Sequence, residues 1–200
     1  MNHIFIPLGD TCQPAHALRE TGLRQKAYPF DWITGSTESL IKCLNSDFEN
    51  FHRNLVFNSP HPELGTNTVL TDTLGFSFHH DYPTFENKTI FPNDDEQFIR
   101  ESPIIDNWLD LYPVVYAKYQ RRIERFRIAM FGPNQIICVC HRTMAECIEI
   151  HGVIKKLYCK DIIILTNSRE HIEHPRILKY NHDQSDFSWF KTAVERALLL

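Results

Sequence analysis

Gln135-Ile136-Ile137-Cys138-Val139-Cys140 and Asp161-Ile162-Ile163-Ile164-Leu165-Thr166 are two short apolar runs, rich in β-branched residues, on either side of a helical stretch, Ala145–Leu157. Continuous runs of that length read as strands buried on both faces, and a helix of about a dozen residues between them has the length of a parallel crossover. A third run, Arg176–Tyr180, follows Ser168–His174, which reads as a short helix or turn. Phe187–Leu200 closes the chain as a helix with Trp189, Ala193, Val194, Ala197 and Leu198 on one side. Upstream, Pro113 suits the first turn of a longer helix in which Val115, Tyr119, Ile123, Phe126 and Met130 form one apolar stripe, ended by Gly132-Pro133. Lys118, Arg121, Arg122, Arg125 and Arg127 lie off that stripe and read as a solvated face. Ile4–Leu8 is one more strand. The expected fold is therefore α/β, an open and mostly parallel sheet of at least four strands flanked by helices.

The 200 residues suit a single α/β domain spanning 1–200, with 46–112 as an irregular insertion or small subdomain. There, short apolar pieces at Leu55–Phe57, Thr68–Leu70 and Gly75–Phe78 are scattered among prolines, histidines and asparagines. Asp94–Leu111 reads as a helix interrupted by Pro103, with Asp94-Asp95-Glu96 as its acidic first turn. Hydrophobic residues at 42% and charged residues at 23% fit a soluble globular chain. A net charge of −4 lacks the basic footprint of a nucleic-acid binder. No apolar run approaches the ~20 residues that span a bilayer, and the first residues carry no basic region or cleavage site, so no membrane partner and a cytoplasmic location are expected. Six cysteines without a leader read as reduced thiols, four of them (Cys43, Cys138, Cys140, Cys147) in apparent core elements. The oligomeric state stays open.

Cys12 has a different address. After Ile4–Leu8 the chain turns at Gly9, and Asp10 or Thr11 can cap a helix carrying Ala15, Leu18 and Gly22/Leu23, with Pro14 in its first turn. A cysteine at or just before that N-terminus meets unpaired amides and the positive end of the helix dipole, which favour the thiolate. The aromatic segment Tyr28-Pro29-Phe30-Asp31-Trp32-Ile33 follows, then Ser36 or Thr37 opens a helix with Leu40, Ile41 and Leu44.

Ligands of open parallel sheets bind outside the strands' carboxyl ends. Here those ends are Gly9–Cys12, His141-Arg142-Thr143, Thr166-Asn167-Ser168-Arg169 and Asn181-His182-Asp183. Gly9, Asp10, Thr11, His141, Arg142, Asn167 and Arg169 are the expected substrate-binding residues. A second constellation, His80 beside Asp81 among aromatics, offers a base held in one tautomer, or two polar residues closing a strand. Cys138 and Cys140 share one strand face while His141 points away, and His171 and His174 have no evident third ligand, so neither a metal nor a cofactor is expected.

Leu8-Gly9-x-x-Cys12-x-x-Ala15-x-x-Leu18-Arg19-x-x-Gly22-Leu23-Arg24, followed by Tyr28-Pro29-Phe30-Asp31-Trp32, resembles the opening signature of a bacterial family of uncharacterised domains described as papain-like cysteine peptidases. Gly75-x-x-Phe78-x-His80-Asp81-Tyr82 is similar to that family's histidine–aspartate motif, and Arg125-Phe126, Arg142, Asp186 and Trp189 extend the likeness along nearly the whole chain. The resemblance implies Cys12 as nucleophile, His80 as its general base and Asp81 as an orienting residue. Papain-type enzymes pair a helical half with an antiparallel barrel, whereas the periodicity here gives a parallel sheet.

The leading expectation is a cysteine-dependent hydrolase or acyl transferase acting on a small-molecule, peptide or glycan substrate. One rival is an α/β enzyme of surface-polysaccharide or sugar/nucleotide-phosphate metabolism, with phosphate cradled at Gly9-Asp10-Thr11 and gripped by Arg142 and Arg169. The other is a non-catalytic binding domain in which Cys12 only packs.

Overall fold

A computed structural model describes residues 2–58, 65–86, 102–180 and 188–200. Its parallel sheet runs in the order β1 (His3–Pro7), β6 (Gln135–Cys140), β7 (Ile163–Thr166), β8 (Ile177–Lys179). The register pairs His3 with Gln135, Ile137 with Ile163 and Ile164 with Ile177. The apolar runs are continuous because both faces are covered. On one face, Phe5, Ile137, Val139, Ile163 and Leu165 pack with Ala17 and Leu18 of α1 (Gln13–Glu20) and with Phe190, Ala193 and Val194 of α5 (Ser188–Ala197). On the other, Ile6, Leu8, Ile136, Cys138, Cys140 and Ile164 enter a larger core with α3 (Tyr112–Phe131) and α4 (Met144–Tyr158).

The expected α3 stripe is buried, but its flanks are not all solvated: Lys118 and Arg122 are 3% and 1% exposed. Asp81 faces Lys118 inside the protein, and Asp31 and Asp81 both lie in the field of Arg122. Ser168–His174 holds no helix. Of the helix expected over Asp94–Leu111, residues 94–101 lie outside the described residues. Residues 102–107 are not helical, and only a short 3-10 turn, Trp108–Leu111, remains. Pro103 has no N–H for a helical ladder, and its carbonyl instead accepts from Phe85.

The middle of the chain forms a second, antiparallel sheet of two-residue strands in the order β2 (Ile33–Thr34), β5 (Ser77–Phe78), β4 (Leu70–Thr71), β3 (Val56–Phe57). Its Ile33, Leu70 and Phe78 belong to the same apolar cluster as Ile6 and Leu8 of the parallel sheet. Phenylalanines weld the two: Phe30 meets Phe48, Phe51, Phe76 and Phe126 at ring-centroid distances of 5.6–5.8 Å. Gly35, just before α2 (Thr37–Asn45), is required there, because a Cβ would lie 2.3 Å from the Phe76 ring. Ser36 caps α2 by accepting from the Ser39 amide at 3.0 Å. Among the described residues no helix is long and apolar enough to cross a membrane.

Because Phe126 touches Phe30, Phe48 and Tyr158 from α3, Phe126→Ala is expected to destabilise the fold by about 3–5 kcal/mol, read as a fall in the urea midpoint with an unchanged m-value.

Candidate active site at the carboxyl edge of the parallel sheet

The strand ends that sequence placed together are cross-linked in the structure. The Asp10 carboxylate accepts from the His141 amide at 2.6 Å, Thr166 donates its hydroxyl to the Arg142 carbonyl, and Tyr180 donates to the Cys140 carbonyl at 3.2 Å. Burial pushes the Asp10 carboxyl up, opposed by Arg142, and its buried Oδ1 has no hydrogen-bond partner among the described residues. Gly9 has φ +67°, and a Cβ there would stand 3.0 Å from Cβ of Phe30 and 3.2 Å from Ile33. Only glycine lets the β1–α1 turn lie against the Phe30–Ile33 segment. Asn181-His182-Asp183 lies outside the described residues.

Cys12 is itself the N-cap of α1, a position expected for Asp10 or Thr11. The helical ladder starts with the His16 amide on the Cys12 carbonyl at 3.0 Å, the Gln13 amide is taken by the Thr11 hydroxyl at 3.3 Å, and Pro14 has no N–H. Cys12 is partly exposed, as is Cys159 more fully, while Cys43, Cys138, Cys140 and Cys147 are buried free thiols. Trp32 stands beside α1 in the left-handed region, φ +63°, an uncommon conformation for a bulky side chain. Its indole is met edge-to-face by His16 at 6.5 Å and by His80 at 6.2 Å, and the Arg19 guanidinium sits 4.9 Å from its centroid. One tryptophan thus joins the loop bearing His80 to the helix bearing Cys12. Sequence reading missed this role, although the Tyr28–Ile33 aromatic cluster marked the segment.

Beneath the site lies a chain of buried charges. Asp81, next to His80, is 5% exposed; its carboxylate pairs with Lys118 Nζ at 2.8 Å and accepts from the Tyr119 hydroxyl at 2.8 Å. Lys118, Arg122 and these hydrogen bonds outweigh burial and hold its carboxyl well below the usual carboxylate range. Asp31, next to Trp32, is fully buried and pairs with Arg24 at 2.8 Å. There burial outweighs the pull of Arg24 and Arg122, and the carboxyl is pushed up.

Arg142 is also buried. It donates to the Thr37 hydroxyl at 2.9 Å and to the carbonyls of Gly35 and Leu8 at 2.9 and 3.3 Å. Thr37 in turn donates its hydroxyl hydrogen bond to Glu146 at 2.6 Å, and Glu146 closes a capping box with Thr143 at the start of α4. Asn167 is half-buried and Arg169 exposed on the loop after β7, where Glu170 accepts from the Met144 amide at 2.6 Å. Among the described residues no group of three or more His, Cys, Asp or Glu side chains could hold a metal ion.

Residues 3–160 match the model of a family described as "Putative papain-like cysteine peptidase". The chain belongs to this family. The match contains Cys12, Trp32, His80, Lys118, Arg122 and Arg142, and ends just beyond α4. An uncharacterized protein of Acanthamoeba polyphaga mimivirus is 30% identical over 116 residues, 48% of this chain and 52% of the relative. The chain therefore spans about half the length of that curated relative, whose viral source gives no support to the bacterial distribution expected of the family. No solved structure matches.

Lys118→Met strips a buried carboxylate of its cation and is expected to destabilise the fold by about 3–5 kcal/mol. Because the folded-state pKa of Asp81 lies below its unfolded value, its contribution is fully present above the unfolded carboxylate pKa and is lost as pH falls through the folded one. Urea midpoints measured from pH 5 to pH 2 should therefore fall less steeply with acid in Asp81→Asn than in the native chain.

Proposed function

We propose that this member of the papain-like cysteine peptidase family is a cysteine-dependent hydrolase or acyl transferase, with Cys12 as nucleophile and His80 as general base. The observation that carries the reading is the contact at Trp32, which brings the His80 loop to α1, the helix that a partly exposed cysteine caps.

In this reaction Cys12 Sγ attacks a carbonyl carbon as its proton passes to the His80 imidazole. The donors for the developing oxyanion are the first amides of α1, less those of Gln13, which Thr11 takes, and Pro14, which has none. As the tetrahedral species collapses, the bond to the leaving group breaks and the imidazolium protonates that group. Water, or an acceptor hydroxyl or amine, then attacks the acyl-enzyme and returns the thiol.

Asp81 supports His80 from the chain side, since its carboxylate is engaged by Lys118 and Tyr119. We assign Arg142 the same kind of role: its three acceptors are protein oxygens that tie the ends of β1 and β2 to α4. Gly9, Asp10, Thr11, His141, Asn167 and Arg169 then shape the substrate side for a peptide, a glycan or another small molecule. A reducing compartment such as the cytoplasm suits Cys140 and Cys147, unbonded thiols with their sulfurs 3.6 Å apart. The phosphate-cradle alternative draws less support, because Pro14 and the Thr11–Gln13 contact remove two of the donors it would use.

The test is the rate of iodoacetamide alkylation near pH 6.5, resolved by peptide mass mapping, with exposed Cys159 as internal reference. Cys12 is expected to outpace Cys159 by about tenfold or more, and His80→Ala to remove most of that advantage. Equal rates at the two cysteines in the native protein would exclude the thiol mechanism.

A further inference from the structure

Cys12, His16 and Arg19 recur at spacings of four and three, so they lie along one face of α1, with His16 about 6 Å and Arg19 about 10 Å beyond Cys12 along the axis. Helical side chains lean back toward the N-terminus, which carries both groups toward the thiol. The Arg19 guanidinium lies over the Trp32 indole at 4.9 Å, and the His16 ring meets the same indole. Beside Arg19 and His16 stands a carboxylate of the protein's own. Glu20 Oε1 lies 3.5 Å from Arg19 Nε and 3.8 Å from His16 Nε2, at a side chain that is 45% exposed. Trp32 is itself 5% exposed, and among the described residues its buried indole N–H has no hydrogen-bond partner.

We propose that the acyl donor of Cys12 carries a carboxylate, received by Arg19 and His16 in the position that Glu20 holds in the free protein. The inference rests on the thiol reading above and adds the class of substrate. Glu20 is a stand-in: exposed ion pairs of this kind are weak, so a ligand carboxylate can replace it at little cost. The Trp32 indole is the rigid platform that keeps the arginine aimed, as a planar guanidinium suits a carboxylate better than an ammonium does.

Iodoacetate and iodoacetamide test this. Both alkylate by the same displacement, in which the sulfur–carbon bond forms as iodide leaves, and they differ in carrying or lacking a carboxylate. The readout is the iodoacetate/iodoacetamide rate ratio at Cys12 divided by the same ratio at Cys159. It is expected to exceed 1 in the native protein, to fall about threefold or more in Arg19→Gln, and to rise in Glu20→Gln, where the competing carboxylate is gone. Arg19→Lys should recover only part of the loss. A normalised ratio of 1 that none of these substitutions moves would overturn the proposal while leaving the thiol mechanism standing, provided iodoacetamide alone still finds Cys12 faster than Cys159. If iodoacetamide shows no such advantage, the thiol reading has failed, and this proposal with it. Both substituted positions, Arg19 and Glu20, are exposed at the end of α1, so the substitutions leave the core untouched, and a far-UV spectrum with a urea midpoint verifies each fold.

Discussion

Arg122 projects from the middle of α3 into the protein at 1% exposure, and the carboxylates of both Asp31 and Asp81 lie in its field. Three ions out of water cost several kcal/mol each unless they compensate one another. Compensation fixes where the two carboxylates stand, with Arg24 completing one side and Lys118 and Tyr119 the other. Asp31 immediately precedes Trp32, and Asp81 immediately follows His80. The two rings that meet above are thus positioned from below by charge, on loops whose short strands contribute few ladder hydrogen bonds of their own.

A comparable constraint acts at the other side of the site. Arg142 begins where β6 ends, and its guanidinium collects the carbonyl of Leu8, that of Gly35 and the hydroxyl of Thr37. These belong to the β1–α1 turn and to the link between β2 and α2, so one buried cation registers the antiparallel sheet against the parallel one. Glu146 balances it through Thr37, and the same carboxyl group caps α4. Apolar packing alone would hold the layers together, but it is non-directional and would not specify how far each loop advances over the edge.

What could be read in the sequence follows from how local each signal is. β6 was legible to the residue because a buried parallel strand writes itself as an unbroken apolar run, and the α3 stripe because its period is 3.6. The place of Cys12 at the start of α1 was legible because strand, turn and helix N-terminus adjoin it in the chain. The antiparallel sheet appeared only as scattered pieces, since two-residue strands are too short to show alternation. Lys118 and Arg122 were misread as solvated because helical periodicity says which face a residue is on and nothing about a distant carboxylate that will cover it. Tyr119 and Asp81, 38 residues apart, meet only in the fold, as do Asp10 and His141, 131 residues apart. The α/β topology did predict the second meeting, because strand ends of one parallel sheet must share an edge.

The family description joins a papain-like chemistry to a fold that is not papain-like, and the two are compatible. A cysteine is activated by what surrounds its sulfur, and a helix N-terminus with a histidine nearby can be built on a parallel sheet as well as on any other scaffold. The extent of the family match sharpens the point. Residues 3–160 include β1, α1, both buried-charge anchors, β6 and α4, so every group assigned here to the thiol or its support falls inside it. The loops after β7 and β8, with Asn167, Arg169 and Tyr180, fall outside. Gly9, Asp10, Thr11 and His141, proposed above for the substrate side, fall inside as well, so the match covers the proposed thiol site and most of its surroundings and leaves only the loops after β7 and β8 beyond it.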